Sequence, residues 1–389
     1  MNGRIAKKIG ALLLCAAFCV LSAACGGAKT AETDRPEGPA WSSLSEIGRT
    51  PVRCATEFSI TQLTDGYELI TVPATGKLLL VPEGMGKPVG LPDDVIVLYR
   101  PVDRIYLAAT SAMDFFRALD GVASVRFSGT KADGWSIAEA KEAMERGDML
   151  FAGKYSAPDF ELLLKERCEL AIESTMIYHS PAISEKLMGY GIPVLIERSS
   201  YEEDPLGRME WIKVYGALLG KEDEAAALFD TEVEAVEAIG EQPNTGKTVA
   251  FFYVTGAGAV NVRTSGDYVV KMIETAGGTY VFSDLSSGSA LSTVNMTMES
   301  FYAGAKDADV LIYNSTIDGE IYTLSELIDK SPLFREFKAV KTGDVWCTGK
   351  NLFQEPMGIG TLINDLYRVL SGTEGGLIYL HKVTDGGRK

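Results

Sequence analysis

Histidine is almost missing from this chain. Only His179 and His381 occur in 389 residues, so a zinc or manganese centre built on several imidazoles is not expected. Cysteine is sparse as well, with six residues, and Cys15, Cys19 and Cys25 belong to the N-terminal apolar stretch or its end. Cys54, Cys168 and Cys347 remain, far apart and without a CxxC pair. That spacing argues against a metal cluster and against a disulfide framework. One bridge among the three stays open, and an odd number leaves at least one thiol free. Positive charge is also short: Lys and Arg number 37 against 53 Asp and Glu, for a net charge of −16. A protein whose main partner is nucleic acid needs a basic face, and this composition excludes that class. Beyond the N-terminus no long apolar run occurs, which excludes a multi-span membrane protein. The fingerprints of nucleotide and acyl-transfer chemistry are absent too. Gly256-Ala-Gly258 lacks a third glycine, Gly134-Trp-Ser-Ile-Ala138 lacks the last glycine of a nucleophile elbow, and there is no Walker loop. An enzyme is therefore not supported.

What is present is a globular composition. Hydrophobic residues make up 46%, enough for large cores and too many for a disordered chain. Arg4, Lys7 and Lys8 precede the apolar stretch Ala11 to Ala24, and Cys25 follows. A basic start, a short apolar core and small residues before a cleavage point form a secretory signal. Leu21-Ser22-Ala23-Ala24-Cys25 resembles a lipobox, in which Cys25 takes lipid and becomes the first residue of the mature chain. An ordinary signal peptide with an incidental cysteine is the plainer alternative, and the stretch is short for a membrane span. Removal of residues 1–24 takes away three positive charges and no acid, leaving −19.

Residues 25–50 are small, polar and rich in Pro and Gly, and read as a flexible tether. A β-rich segment follows at 58–82. From about residue 100, strand and helix patterns alternate, which implies crossover helices and a mainly parallel sheet. Residues 206–243 break that alternation. Ala225, Phe229, Val233, Val236 and Ile239 fall on one helical face, which predicts a long helix over 222–239. Alternation then resumes. The expected organisation is a signal peptide 1–24, a tether 25–50, an N-terminal α/β lobe 51–205, a helical connection 206–243 and a C-terminal α/β lobe 244–389. The fold class is α/β, with two Rossmann-like lobes, each with a mainly parallel sheet, joined by one long helix.

In open α/β sheets, ligands bind beyond the carboxyl ends of the strands. Applied here, that rule selects Met176, Tyr178 and His179 after the strand at 170–173, and Arg198 and Tyr201 after the strand at 192–197. It also selects Arg263 after 247–254 and Asn314 after 308–313, with Trp135 and Tyr155 in loops of the first lobe. Aromatics, a thioether, an imidazole and two guanidiniums suit a large ligand with apolar and anionic parts. Each also has a structural reading: the aromatics and Met176 as packing, the arginines as ion pairs, His179 as a satisfied histidine.

Four stretches, SAPDFELLLKERCELAIES, EKLMGYGIPVLIE, DPLGRMEWIKVYGALLGKEDEAAALF and MTMESFYAGAKDADVLIYN, resemble in order and spacing the helical-backbone substrate-binding proteins of bacterial ABC importers. Those proteins serve uptake of iron-siderophores, haem and vitamin B12, and the resemblance covers roughly residues 100–370. It implies an extracytoplasmic, lipid-anchored receptor that captures a metal chelate and hands it to a permease dimer with its ATPase. It implies no catalysis and no resident cofactor; any iron or cobalt belongs to the cargo. The family carries one glutamate per lobe that meets the permease, and Glu161 and Glu299 fall at the matching positions, with Ser156 and Thr297 as nearby helix caps. An extracytoplasmic enzyme or a ligand-sensing lipoprotein on the same scaffold is the alternative. The β-rich segment departs from the family pattern and has no assigned role.

Overall fold

The computed structural model describes residues 36–386, apart from 74 and 287–291. The signal segment, Cys25 and the first part of the tether lie outside the described residues.

Three sheets organise the chain. The first contains β1 (Glu46–Arg49), β2 (Ser59–Leu63), β3 (Glu68–Val72), β4 (Gly76–Val81) and β5 (Val95–Tyr99), paired in chain order. Its first three pairings are antiparallel and the last is parallel. Side chains alternate across it with period two, as a strand requires. Ile60, Ile70, Leu78 and Leu98 enter the main core, while Tyr67, Leu79 and Val81 pack on the opposite face. The β-rich segment is thus a sheet of its own and does not extend the parallel sheet of the first lobe.

The tether also ends earlier than its composition suggests. Trp41 N donates to Val89 O at 2.8 Å and Val89 N to Pro39 O at 2.9 Å. Trp41 and Leu44 pack beneath the outer face of the sheet. A polar, Pro-containing segment is ordered here because its backbone donors find acceptors and Trp41 and Leu44 find cover, although Ile47 stays exposed.

The first lobe is built on β6 (Ile105–Leu107), β7 (Val125–Ser128), β8 (Leu150–Phe151), β11 (Leu170–Ser174) and β12 (Val194–Glu197), with a small hairpin of β9 (Gly153–Lys154) and β10 (Ala157–Pro158). Its order is β12-β11-β6-β7-β8, all parallel. The second lobe centres on β13 (Lys247–Val254). β14 (Val260–Arg263) and β15 (Gly278–Tyr280) pair with β13, β16 (Thr293–Met296) with β14, and β17 (Val310–Tyr313), β18 (Val345–Thr348) and β19 (Leu380–Lys382) continue the other side. β15, β17 and β18 run parallel to their neighbours, and β14, β16 and β19 antiparallel. His381 sits on the edge strand β19. Its ring stacks on Tyr322 at 4.7 Å.

Between the lobes run three helices, Pro205–Glu210, Ile212–Leu219 and Glu222–Gly240. The last has 19 residues, about 28 Å at 1.5 Å each, and buries Ala225, Phe229, Val233 and Val236. It packs against Ile212–Leu219 and against the helix Ile359–Leu370 of the second lobe. A Cβ on Gly216 would stand 2.6 Å from the Ala225 Cβ, so the close approach of the two helices requires glycine there.

Two buried carboxylates on this connection hold the strap that leads into the first sheet. Glu210 accepts from the backbone N–H groups of Arg53, Cys54 and Ala55 at 2.7–3.0 Å. Glu202 accepts from those of Thr56 and Glu57 at 2.8 and 2.9 Å, and from Trp211 Nε1 at 3.0 Å. Lys213 Nζ donates to Glu210 and to Pro51 O, both at 2.7 Å. Five successive backbone donors thus meet two carboxylates, which satisfies a stretch that belongs to neither helix nor strand. Phe58 then meets the Trp211 ring edge-on at 5.3 Å.

Candidate functional site

Parallel strands that end together place the loops after them side by side. In the first lobe β11 and β12 are neighbours in register, Ser174 beside Glu197. The turns Thr175–His179 and Ser199–Tyr201 therefore adjoin. Arg198 stands between them. Its Nη1 donates to the Tyr178 hydroxyl at 2.9 Å, and its guanidinium lies 4.3 Å from the centre of the Tyr201 ring. Tyr178 is 43% exposed, Tyr201 47% and Met176 48%, against a half-buried Arg198. Sequence reading placed these residues at one end of the sheet, and the structure brings Tyr178, Arg198 and Tyr201 into contact. His179 is exposed on the same turn.

One member of the cluster was not anticipated. Glu57 Oε2 accepts from Arg198 Nε at 2.6 Å. Burial works to lower the Arg198 pKa, but the bonds to Glu57 and Tyr178 outweigh it and the net shift is upward. Glu57 belongs to the strap of the first sheet and lies 141 residues away in sequence, so no local pattern could have paired the two. The same sheet touches β12 a second time, where Thr75 Oγ1 accepts from Ile196 N at 2.8 Å. β12 is the outermost strand of the parallel sheet, and this contact covers its free edge.

The other candidates are placed differently. Arg263 is not in a loop: it lies on β14, and Nη1 pairs with the buried Asp267 at 3.3 Å. Arg263 is half-buried above the Phe251 ring at 5.5 Å, so its charge is already matched. Burial raises the Asp267 pKa, and Arg263 opposes that shift. Asn314 is buried after β17, and its Oδ1 accepts from Thr316 N at 3.1 Å, closing a local turn. Tyr155 is half-buried in the β9–β10 turn, beside the outer core of the lobe. Trp135 is buried in the main core, and its Nε1 has no hydrogen-bond partner among the described residues.

The loops around Trp135 do meet the second lobe. Gln354 Oε1 accepts from Ser136 N and Gln354 Nε2 donates to Gly134 O, both at 2.7 Å. The buried Asp114 of the first lobe accepts from Met357 N at 2.8 Å and pairs with Arg117. Deeper between the lobes, Ser111, Arg208, Tyr268 and Phe353 line a small cavity, with Arg208 stacked 3.9 Å from the Tyr268 ring centre. Arg208 was missed because it falls within a helix that reads only as connection. Cys54, Cys168 and Cys347 are free thiols. Among the described residues no group of His, Cys, Asp and Glu is arranged to hold a metal ion.

Glu161 and Glu299 are exposed in the first turns of the helices Phe160–Lys165 and Met298–Ala305, one on each lobe. Thr297 caps the second helix, accepting from Ser300 N at 3.2 Å. The first is capped by Asp159 and not by Ser156: Asp159 Oδ1 accepts from Leu162 N at 3.0 Å. Asp159 stands directly before the helix, the position from which a side chain reaches these donors.

An uncharacterized lipoprotein of Methanocaldococcus jannaschii is 28% identical over 301 residues, covering 73% of this chain and 70% of its own. A second uncharacterized lipoprotein of that organism is 24% identical over 370 residues, covering 90% and 92%. Among solved structures, a periplasmic binding protein from Veillonella parvula superposes with a TM-score of 0.58 at 15% identity, covering 71% of this chain and 93% of its own. A periplasmic haem-binding protein from Pseudomonas aeruginosa gives 0.56 at 16% identity, with 74% and 99% covered. Both structures are nearly spanned, while the superpositions cover 71% and 74% of this chain. Residues 128–352 match the periplasmic binding protein family, a stretch that begins after the whole first sheet. With two α/β lobes, a helical connection and more than half its length in that match, the chain belongs to the periplasmic binding protein family.

Proposed function

We propose that this protein is the extracytoplasmic receptor of an ABC importer. It captures a metal chelate between its lobes and delivers it to a permease dimer with its ATPase. The observation that carries the reading is the cluster at the carboxyl ends of β11 and β12. Tyr178 and Tyr201 present exposed aromatic surface there, around a guanidinium oriented by hydrogen bonds. An aromatic wall with one directed donor suits a bulky chelate of the siderophore, haem or corrinoid kind. The solved relatives include a protein described as haem-binding and one described as part of a ferric hydroxamate transport system, from Saccharomonospora viridis. Visible absorption and mass spectrometry of the protein purified with its native ligand test the proposal directly. A metal chelate in stoichiometric amount is the expected result, and catalytic turnover of a bound compound would overturn it.

Docking to the permease rests on Glu161 and Glu299. Charges at two separated points fix orientation and speed encounter more than they add affinity. Glu161→Arg combined with Glu299→Arg is expected to leave ligand affinity unchanged and to cut uptake at least about tenfold in vesicles carrying the permease and ATPase. Normal uptake would remove both residues from the docking surface, and lost ligand affinity would move them to the cleft.

Retention at the membrane rests on Cys25. Wild-type protein is expected in the membrane fraction, and Cys25→Ser in the soluble fraction or as unprocessed precursor. Two lipid-bearing signals anchor stably where a single chain anchors weakly, so fractionation should include a high-salt wash. Unchanged membrane association of Cys25→Ser would show that something other than lipid at this cysteine holds the protein.

A further inference from the structure

The first sheet lies outside the family match, yet it reaches the ligand cluster. The strap at 53–57 is fastened by Glu202 and Glu210, and its last residue, Glu57, meets Arg198. Glu57 has its backbone N–H fixed by Glu202 at 2.9 Å and its carboxylate on Arg198 Nε at 2.6 Å. The β3–β4 turn holds β12 two residues earlier, through Thr75 and Ile196. Arg198 is therefore oriented from three sides: by Glu57, by the Tyr178 hydroxyl and by the Tyr201 ring.

We propose that the first sheet is a working part of the ligand site, in which Glu57 positions Arg198 between Tyr178 and Tyr201 and cancels its charge, so that the clamp selects an uncharged oxygen acceptor over a free carboxylate. This rests on the receptor reading above. A guanidinium has five N–H donors; Glu57 takes the one on Nε and Tyr178 one of the two on Nη1. The second donor on Nη1 and the two on Nη2 remain to meet a ligand. With a carboxylate already at 2.6 Å, a second anion at the guanidinium would meet like charge at close range, which is unfavourable in a partly desolvated site. A carbonyl, amide or hydroxamate oxygen carries no such penalty. The exposed faces of Tyr178 and Tyr201 supply the apolar part of the contact. Glu57 is thus a positioning residue: it acts on the ligand through Arg198.

The test uses the full mature chain and two probes of different charge. Ferrichrome is a neutral ferric trihydroxamate, and haemin carries anionic propionates. Titration of wild type, Glu57→Gln, Glu57→Asp, Arg198→Ala and the Glu57→Gln/Arg198→Ala double variant gives the ratio of the two affinities. Removing the Glu57 charge should shift that ratio toward haemin by about tenfold, because the guanidinium then makes charge-assisted bonds to the propionates. Glu57→Asp should keep the wild-type ratio, and Glu57→Gln should have no effect once Arg198 is gone. A merely structural role would weaken both probes alike and leave the ratio where it was, and that result overturns the proposal. A second readout needs no ligand. An arginine-specific dione, with peptide mass spectrometry, should label Arg198 slowly in wild type and about tenfold faster in Glu57→Gln, since the lost bond frees the guanidinium. If wild type binds neither probe, the receptor reading fails for these chelate classes, and labelling decides alone. Faster labelling sustains the positioning of Arg198 by Glu57, and an unchanged rate overturns it.

Discussion

Glu173→Leu is expected to make this protein more stable, by an amount that grows as pH rises. Glu173 lies on β11, inside the parallel sheet of the first lobe, fully buried. Among the described residues neither carboxyl oxygen has a hydrogen-bond partner. By strand alternation it shares a face with Ala171, whose surroundings include Tyr106, Phe127 and Leu163. The Tyr106 hydroxyl is near but donates to Gly153 O at 3.0 Å. Burial alone pushes the Glu173 carboxyl up from its ordinary 4.5 to about 8. At neutral pH the group is therefore mostly a neutral acid in the folded chain and an anion in the unfolded one. Its folded pKa is the higher of the two, so its favourable share is complete below pH 4.5 and is lost as pH rises through about 8. The full loss is of the order of 5 kcal/mol. Glu173→Gln removes the titration and retains a buried polar group, whereas Glu173→Leu removes both costs. Urea unfolding at pH 5, 6.5 and 8 should show wild type losing stability relative to both variants, with Leu the most stable at pH 8. Parallel loss in wild type and Glu173→Gln would mean that Glu173 is satisfied in solution by a group that takes its charge.

The opposite outcome is expected at Glu210, where removing a buried carboxylate should be severe. Glu210→Ala leaves three backbone donors, on Arg53, Cys54 and Ala55, without an acceptor, and strips Lys213 of its counter-charge. Breaking a buried pair by removing one partner costs about 3–5 kcal/mol, and each unmet buried donor adds roughly 1–3 kcal/mol. Domains are stable by only about 5–15 kcal/mol in all. The strap should let go, and with it the seat of the first sheet on Trp211. Limited proteolysis should then cut within residues 50–58 while cleavage of the two lobes changes little. Glu210→Gln keeps an acceptor oxygen and should lose about half as much as Glu210→Ala. An unchanged denaturation midpoint for Glu210→Ala would show that the strap contributes nothing to stability.

The lobes were legible in the sequence because their elements are locally determined. β13 runs over Lys247–Val254 and carries the continuous apolar run 249–254, rich in β-branched and aromatic residues. The helix Glu222–Gly240 announces itself by Ala225, Phe229, Val233 and Val236 on one face. β14 and β16 were missed because VNVR and TVNM are four residues long and half polar. They are strands only because each completes the other's ladder beside β13. Arg263 illustrates the cost: on a loop it would be a ligand contact, but on β14 it is the partner of Asp267. The pair was visible four residues apart; its burial was not. Around the site, Tyr178, Arg198 and Tyr201 followed from the strand-end rule. Glu57 did not, since a contact across 141 residues leaves no trace in local pattern. Glu173, in the strand LAIES, reads as an ordinary strand end, and only the packing around it shows that its charge has nowhere to go.

The carboxylate anchors of the first sheet come late in the chain. Glu210 follows Arg53 by 157 residues. As the chain is made, β1 to β5 can pair with one another long before Glu202, Glu210 and Trp211 exist. From Tyr99, the end of β5, to Trp211 that interval is roughly 6–22 s at ordinary synthesis rates. Throughout it, the face that carries Ile60, Ile70, Leu78 and Leu98 lacks Trp211 and the connection helices that share its core. An uncovered apolar sheet invites association with other nascent chains. The feature that gives the folded protein its separate first sheet thus leaves that sheet without its anchors in the nascent chain until the connection helices emerge.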